Sequence, residues 1–220
     1  LLGRRFTNRL QAAYQRLLTD AVTEQQVARS VLASIPRFNT EFPDTNFAQS
    51  LKAIAQLIAL RNHAGVRASR QVFNTGMVHF DTHSGGLASH NNKIQILSEG
   101  LGAFYSALDE IGLRDKVTTF TTSEFGRTVL PNEDGTDHGW GGHHLVMGGA
   151  VRGGAVYGRM PDLDPDGSDV YGNRGVLRPD LSVEQYLAPL ALWFGLSGAQ
   201  VERVFPNLAT FGNQRLEFMG

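Results

Sequence analysis

The sequence predicts an α/β fold, with a largely parallel sheet flanked by helices. Three observations predict it. A run rich in β-formers at 72–80 is followed by an amphipathic helical run at 93–111 and by a second β-rich run at 117–122. Strand, helix and strand joined by a crossover of roughly 30 residues make a βαβ unit, whose two strands are parallel. The chain has 220 residues, 41% of them hydrophobic, which suits a single packed core.

The elements follow in order. Residues 3–34 read as helix, because Leu10, Ala13, Tyr14, Leu17, Leu18, Val22, Val27, Val31 and Leu32 recur near helical spacing. Pro36 to Asp44 is a break. Asn46 is read as the cap of a second helix, with Gln49 three places on, and Leu51, Ile54, Ala55, Ile58 and Ala59 form its apolar face. Val72–Phe80 reads as a strand. In the helix at 93–111, Ile94, Leu97, Leu101, Phe104, Leu108 and Ile111 alternate in steps of three and four, and Gly112 ends it. Val117–Thr122 reads as a strand, a glycine-rich loop follows, and Leu145–Met147 is a further short strand. Ser182 with Gln185, and Ser197 with Gln200, are capping-box signatures for two closing helices.

Composition excludes several classes. Twenty basic residues against 21 acidic ones leave no field for nucleic acid or an anionic membrane. No apolar run reaches the ~20 residues of a membrane span. Without cysteine there is no disulfide, thiolate metal site or cysteine nucleophile. No Gly-x-Ser-x-Gly, Gly-x4-Gly-Lys, Gly-x-Gly-x-x-Gly or His-Glu-x-x-His pattern occurs. Asp162, Asp164, Asp166 and Gly167 begin like a calcium loop, but Pro165 intrudes and Asn173 stands where the closing Glu belongs, so an acidic turn is the better reading.

Three polar runs concentrate the chemistry: Phe80-Asp-Thr-His83, Ser123-Glu-Phe-Gly-Arg-Thr128 and Thr136-Asp-His-Gly-Trp-Gly-Gly-His-His144. Imidazole and carboxylate together are the ligands of zinc and similar ions, and also the groups that move protons. Asp81 and His83 are two apart, so extended backbone turns both to one side, where they can share a metal. An Asp there also reads as a turn residue accepting backbone N–H bonds. Glu124 can ligate a metal or act as a base, and Arg127 can hold an oxyanion; the pair can equally brace a loop. His138 is a candidate ligand, with Asp137 either ligating beside it or orienting it. His90 is a further candidate, or a helix cap. His143 and His144 are adjacent and point to opposite sides of a strand, so at most one can face the site. His63 and His79 read as structural.

Taken together, these runs resemble a bacterial family of sulfatase-like proteins in the alkaline phosphatase-like superfamily. Met147-Gly-Gly-Ala-Val-Arg-Gly-Gly154, Ser182-Val-Glu-Gln-Tyr186, Trp193-Phe-Gly195 and Phe205-Pro-Asn207 extend the likeness. The resemblance implies an alkaline phosphatase/sulfatase-like α/β domain over 45–220, incomplete at its N-terminus, behind a helical segment at 1–44. It implies a hydrolase of phosphate or sulfate esters on a small molecule or polysaccharide, in the periplasm or cell envelope. A non-catalytic envelope protein that binds or assembles is the alternative. The implied cofactor is a divalent metal, zinc by ligand type. Asp81, His83 and His138 would correspond to one metal site and Glu124 to the second. Phe125 follows Glu124 where better-known relatives carry His. By the resemblance, the nucleophile of the superfamily would stand upstream of Leu1.

Overall fold

Residues 8–66, 68–212 and 216–220 are described by a computed structural model of the chain. Among them are five α-helices: α1 (Arg9–Ala33), α2 (Asn46–Ala59), α3 (Gly86–Glu110), α4 (Val183–Phe194) and α5 (Gly198–Val204). The strands are short: β1 (Thr119–Phe120), β2 (Gly126–Asn132), β3 (Gly135–Gly139), β4 (Val146–Met147), β5 (Val170–Tyr171) and β6 (Val176–Leu177).

The strands correct the expected fold class. Among the described residues they form three separate antiparallel pairs, β1 with β4, β2 with β3 and β5 with β6. There is no parallel sheet among them, so the molecule is not an alkaline phosphatase-like α/β fold. The physical reason lies in pairing. Residues 72–80 join no ladder, and β1 takes its partner from 146–147 in the opposite direction. β-propensity reports that a segment fits a half-buried extended surface; it carries no information about which strand lies beside it.

The main core is helical. Leu51, Ala55 and Ile58 of α2 interdigitate with Leu101, Phe104, Ala107 and Leu108 of α3, and Leu113 closes one end. Phe73, Val117 and Met147 pack against this cluster and tie the flanking segments to it. A smaller core joins Ala188 of α4, Val201 of α5 and Leu208.

Helix termini follow local chemistry, with two shifts from expectation. Thr45, not Asn46, caps α2, its hydroxyl accepting from the Ala48 amide. Helix α3 starts at Gly86, earlier than the apolar periodicity indicates, because its first two turns are mostly polar and exposed. Both capping boxes form at α4 and α5 as read. α1 begins at Arg9 behind an Asn8 cap and buries none of its residues; the first residues of the helix expected at 3–34 lie outside the described residues. No helix among the described residues is long and apolar enough to cross a membrane.

The hairpin β2–β3 occupies a stretch expected to be loop. Glycines at 135 and 139 weaken the strand signal there, although Thr128, Val129 and Leu130 are β-formers and Asp134-Gly135 is a turn signal. Register shifts between Arg127 and Pro131, where the proline cannot donate to the ladder.

Candidate metal centre

Two segments build the site. The first is 80–83, between the extended run and α3; the second is the base of the β2–β3 hairpin. Gly135 makes their contact possible, because a Cβ there would lie 2.3 Å from the carbonyl carbon of His83. The Thr136 amide donates to the Thr82 carbonyl at 3.2 Å, and the Gly86 amide to the Asp134 carbonyl at 2.9 Å. The Asp134 carboxylate also accepts from the Gly85 amide at 2.8 Å. Backbone contacts thus fix 80–86 on the hairpin.

Hairpin register then sets the side chains. Arg127 lies opposite His138 on neighbouring strands. Both converge on one atom, Asp81 Oδ1. His138 Nε2 is 3.0 Å from it, His83 Nδ1 is 3.1 Å away and Arg127 Nη1 is 2.5 Å away. A tetrahedral zinc site with bonds of ~2.0–2.1 Å has ligand atoms about 3.3 Å apart; the two imidazole–carboxylate spacings are close to that, and all three ligand atoms lie within 4.8 Å of one another. Asp81, His83 and His138 form the one such group of three among the described residues.

The cluster is open to water. The side chains of His83 and His138 are 50% exposed and that of Asp81 is 45% exposed. Three protein ligands with an open side are the pattern of catalytic zinc, whereas structural zinc is closed by four. The ring of Phe125 lies flat on His138, with centroids 3.7 Å apart and planes 9° from parallel. It holds the imidazole in one orientation. Sequence reading treats Phe125 only as a departure from an expected His, and stacking is invisible without the register.

Electrostatics keep Asp81 ionised. Partial desolvation pushes its carboxyl up, but hydrogen bonds from Arg127 and His138, and the charge of the two imidazoles, outweigh it and leave it below the ordinary carboxylate value. Arg127 is largely used within the protein. Its Nε donates to Thr136 Oγ1 at 2.8 Å, and Nη2 donates to the Thr82 carbonyl at 2.7 Å and to the Thr136 carbonyl. With Asp81 counted, four of the five N–H groups of a guanidinium are engaged, which makes Arg127 first a clamp on Asp81.

The remaining candidates lie outside the triad. Asp137 accepts from Asn132 Nδ2 at 2.6 Å and pairs with Arg174, as expected for the residue next to His138 on an alternating strand. Glu124 is exposed at the bend before β2. His90, in the first turns of α3, meets Phe80 edge-on at 6.1 Å. His144 stacks on Tyr186 at 5.5 Å, and burial, then the neighbouring His143, push its imidazole down. His63 Nδ1 accepts from the Gly65 amide, a local structural role. Nothing in the sequence around Arg174 points to Asp137, because only the fold brings the β5–β6 turn to it.

The fold and site define a class: a helical protein with short antiparallel strand pairs, in which one hairpin and the segment 80–83 together form an open Asp-His-His cluster. Residues 10–184 match the family model described as "Protein of unknown function (DUF1501)", and the chain belongs to that family. No curated protein and no solved structure matches it. The family description states no activity, so function rests on the site.

Proposed function

We propose that Asp81, His83 and His138 bind one divalent cation, zinc by ligand type, and that the protein hydrolyses phosphate or sulfate esters with it. The observation that carries the metal is the convergence of both imidazoles on Asp81 Oδ1 at 3.0–3.1 Å with the far side open. The ester class is taken from the likeness of the three polar runs to sulfatase-like proteins, and so is a substrate in the cell envelope. A bound divalent ion supplies a polarised ester oxygen or an acidified water. The protein's own residues do the positioning. Arg127 fixes the carboxylate, Phe125 fixes the ring of His138, and the Thr136–Thr82 backbone bond fixes the distance between the two segments.

The test is elemental analysis of protein purified without chelator, followed by turnover of aryl phosphates and aryl sulfates before and after metal removal. Stoichiometric metal that is lost in Asp81→Ala, together with turnover restored by re-adding the ion, is the expected result. Protein that carries no divalent metal and gains none on dialysis against zinc would sink the proposal.

A second reading has its own observation. The Arg127–Asp81 contact at 2.5 Å neutralises the carboxylate without any ion. On that reading the cluster joins 80–83 to the hairpin in a non-catalytic binding or assembly protein. It requires Asp81→Asn to lower the melting temperature equally with and without added zinc.

A further inference from the structure

Residues 71–78 behave as a strand that lacks a neighbour. Gln71, Phe73, Thr75 and Met77 are half-buried, while Val72, Asn74, Gly76 and Val78 are exposed, the period of two that defines a strand with one face covered. Phe73 anchors the covered face on the main core. Val72 is 79% exposed and Val78 is 72% exposed. Yet among the described residues no backbone hydrogen bond reaches 68–79. A row of amides and carbonyls with no backbone partner is a ready template for another strand.

Proteins that keep such an edge monomeric guard it with charge, proline or a bulge. Residues 71–80 contain no Lys, Arg, Asp, Glu or Pro. The segment is also self-complementary. If two copies pair antiparallel about a twofold axis at Thr75, Val72 faces Val78 on the exposed side, and Phe73 faces Met77 on the covered side. Each apolar residue then meets an apolar residue, and each contact occurs twice, as an isologous interface requires. No charge on the segment opposes its pairing with itself.

We propose that 72–78 is a dimerisation strand, pairing antiparallel with the same segment of a second copy in the register centred on Thr75. This is independent of metal binding.

Sedimentation velocity of the whole chain over a concentration series tests the proposal, run with chelator and with zinc. A monomer–dimer equilibrium indifferent to both is expected. Val72→Lys/Val78→Lys places like charges opposite each other and should weaken the dimer on the order of tenfold. Val72→Lys/Val78→Glu places Lys opposite Glu and should recover most of that loss. Both positions are exposed, so folding should survive either change. A wild-type chain that stays monomeric, a dimer that needs metal, or two double variants that behave alike would each overturn the proposal.

Discussion

Asp169 and Asp81 each take an arginine, but only one of them is finished by it. Asp169 is 5% exposed and accepts both prongs of Arg159, at 2.6 and 2.8 Å, plus the Asp162 amide at 2.7 Å. Those bonds, Arg159 first, hold its carboxyl far below the ordinary range. Both oxygens of Asp169 are held, three bonds in all, and the result is a knot in the 159–180 region. Asp81 takes one prong of Arg127, two imidazole nitrogens crowd the same oxygen, and water reaches all three side chains. Saturation and burial mark a structural ion pair; shared acceptors with open access mark a place where something else can bind.

The largest effect that would break this contrast is at Asp81. Asp81→Ala should take metal content from stoichiometric to none by elemental analysis, while Asp169→Asn leaves metal content unchanged. Asp169→Asn should instead lower the melting temperature by a few degrees, since the carboxylate is buried while its Arg159 partner is 55% exposed. If Asp169→Asn also empties the metal site, the two regions are one unit and the contrast fails.

Acid separates the two regions further. A carboxyl held below its ordinary value of 3.8 contributes stability that is fully present above that value and lost as pH falls through the folded one. The gap in melting temperature between wild type and Asp169→Asn should therefore be constant near neutrality and shrink below about pH 4. A gap that stays constant down to pH 2 would mean that Asp169 acts through packing rather than charge. Metal at Asp81 should respond differently. Imidazole nitrogens must release protons to ligate, so zinc affinity should fall as pH drops, by up to about tenfold per unit for each proton displaced.

Much of the site was legible in the chain, and much less of the fold. Residue type and spacing put Asp81, His83 and His138 among six candidate ligands with Glu124, Asp137 and His90; the likeness to sulfatase-like proteins sets the three apart, and the structure brings those three together. Helices α2 to α5 follow from apolar periodicity and from Ser182/Gln185 and Ser197/Gln200, because capping and amphipathicity act within a few residues. Strand pairing is not local. Residues 72–80 and 117–122 carry strand composition, yet nothing in either says that 119–120 pairs with 146–147 and that 72–80 joins no ladder. The same gap hid the use of Arg127 as a clamp, since its place opposite His138 is a matter of register.

Two smaller substitutions sharpen the picture of what positions the ligands. Phe125→Ala removes the stacked ring from His138 while leaving all three ligands in place. An aromatic pair is worth ~0.5–1.5 kcal/mol, so zinc affinity, measured by competition with a chromophoric chelator, should weaken by up to about tenfold. An unchanged affinity would mean that the strand backbone alone aims the imidazole.

Thr136→Val should have the smallest effect and is the most specific. The hydroxyl accepts from Arg127 Nε at 2.8 Å, while the main-chain carbonyls of Thr82 and Thr136 take Nη2. Valine keeps the β-branched shape that suits β3, so the hairpin should persist and the melting temperature should stay within a degree or two. Only the tilt of the guanidinium is released, and with it one restraint on Asp81. The donor is charged, so the bond is worth ~1.5–3 kcal/mol, but three other bonds still hold Arg127 and only a fraction reaches Asp81, a loss of zinc affinity of roughly fivefold or less. A loss larger than that of Phe125→Ala would put the carboxylate, rather than the imidazole, in control of the site. Arg127 would then be the residue on which the difference between Asp81 and Asp169 depends.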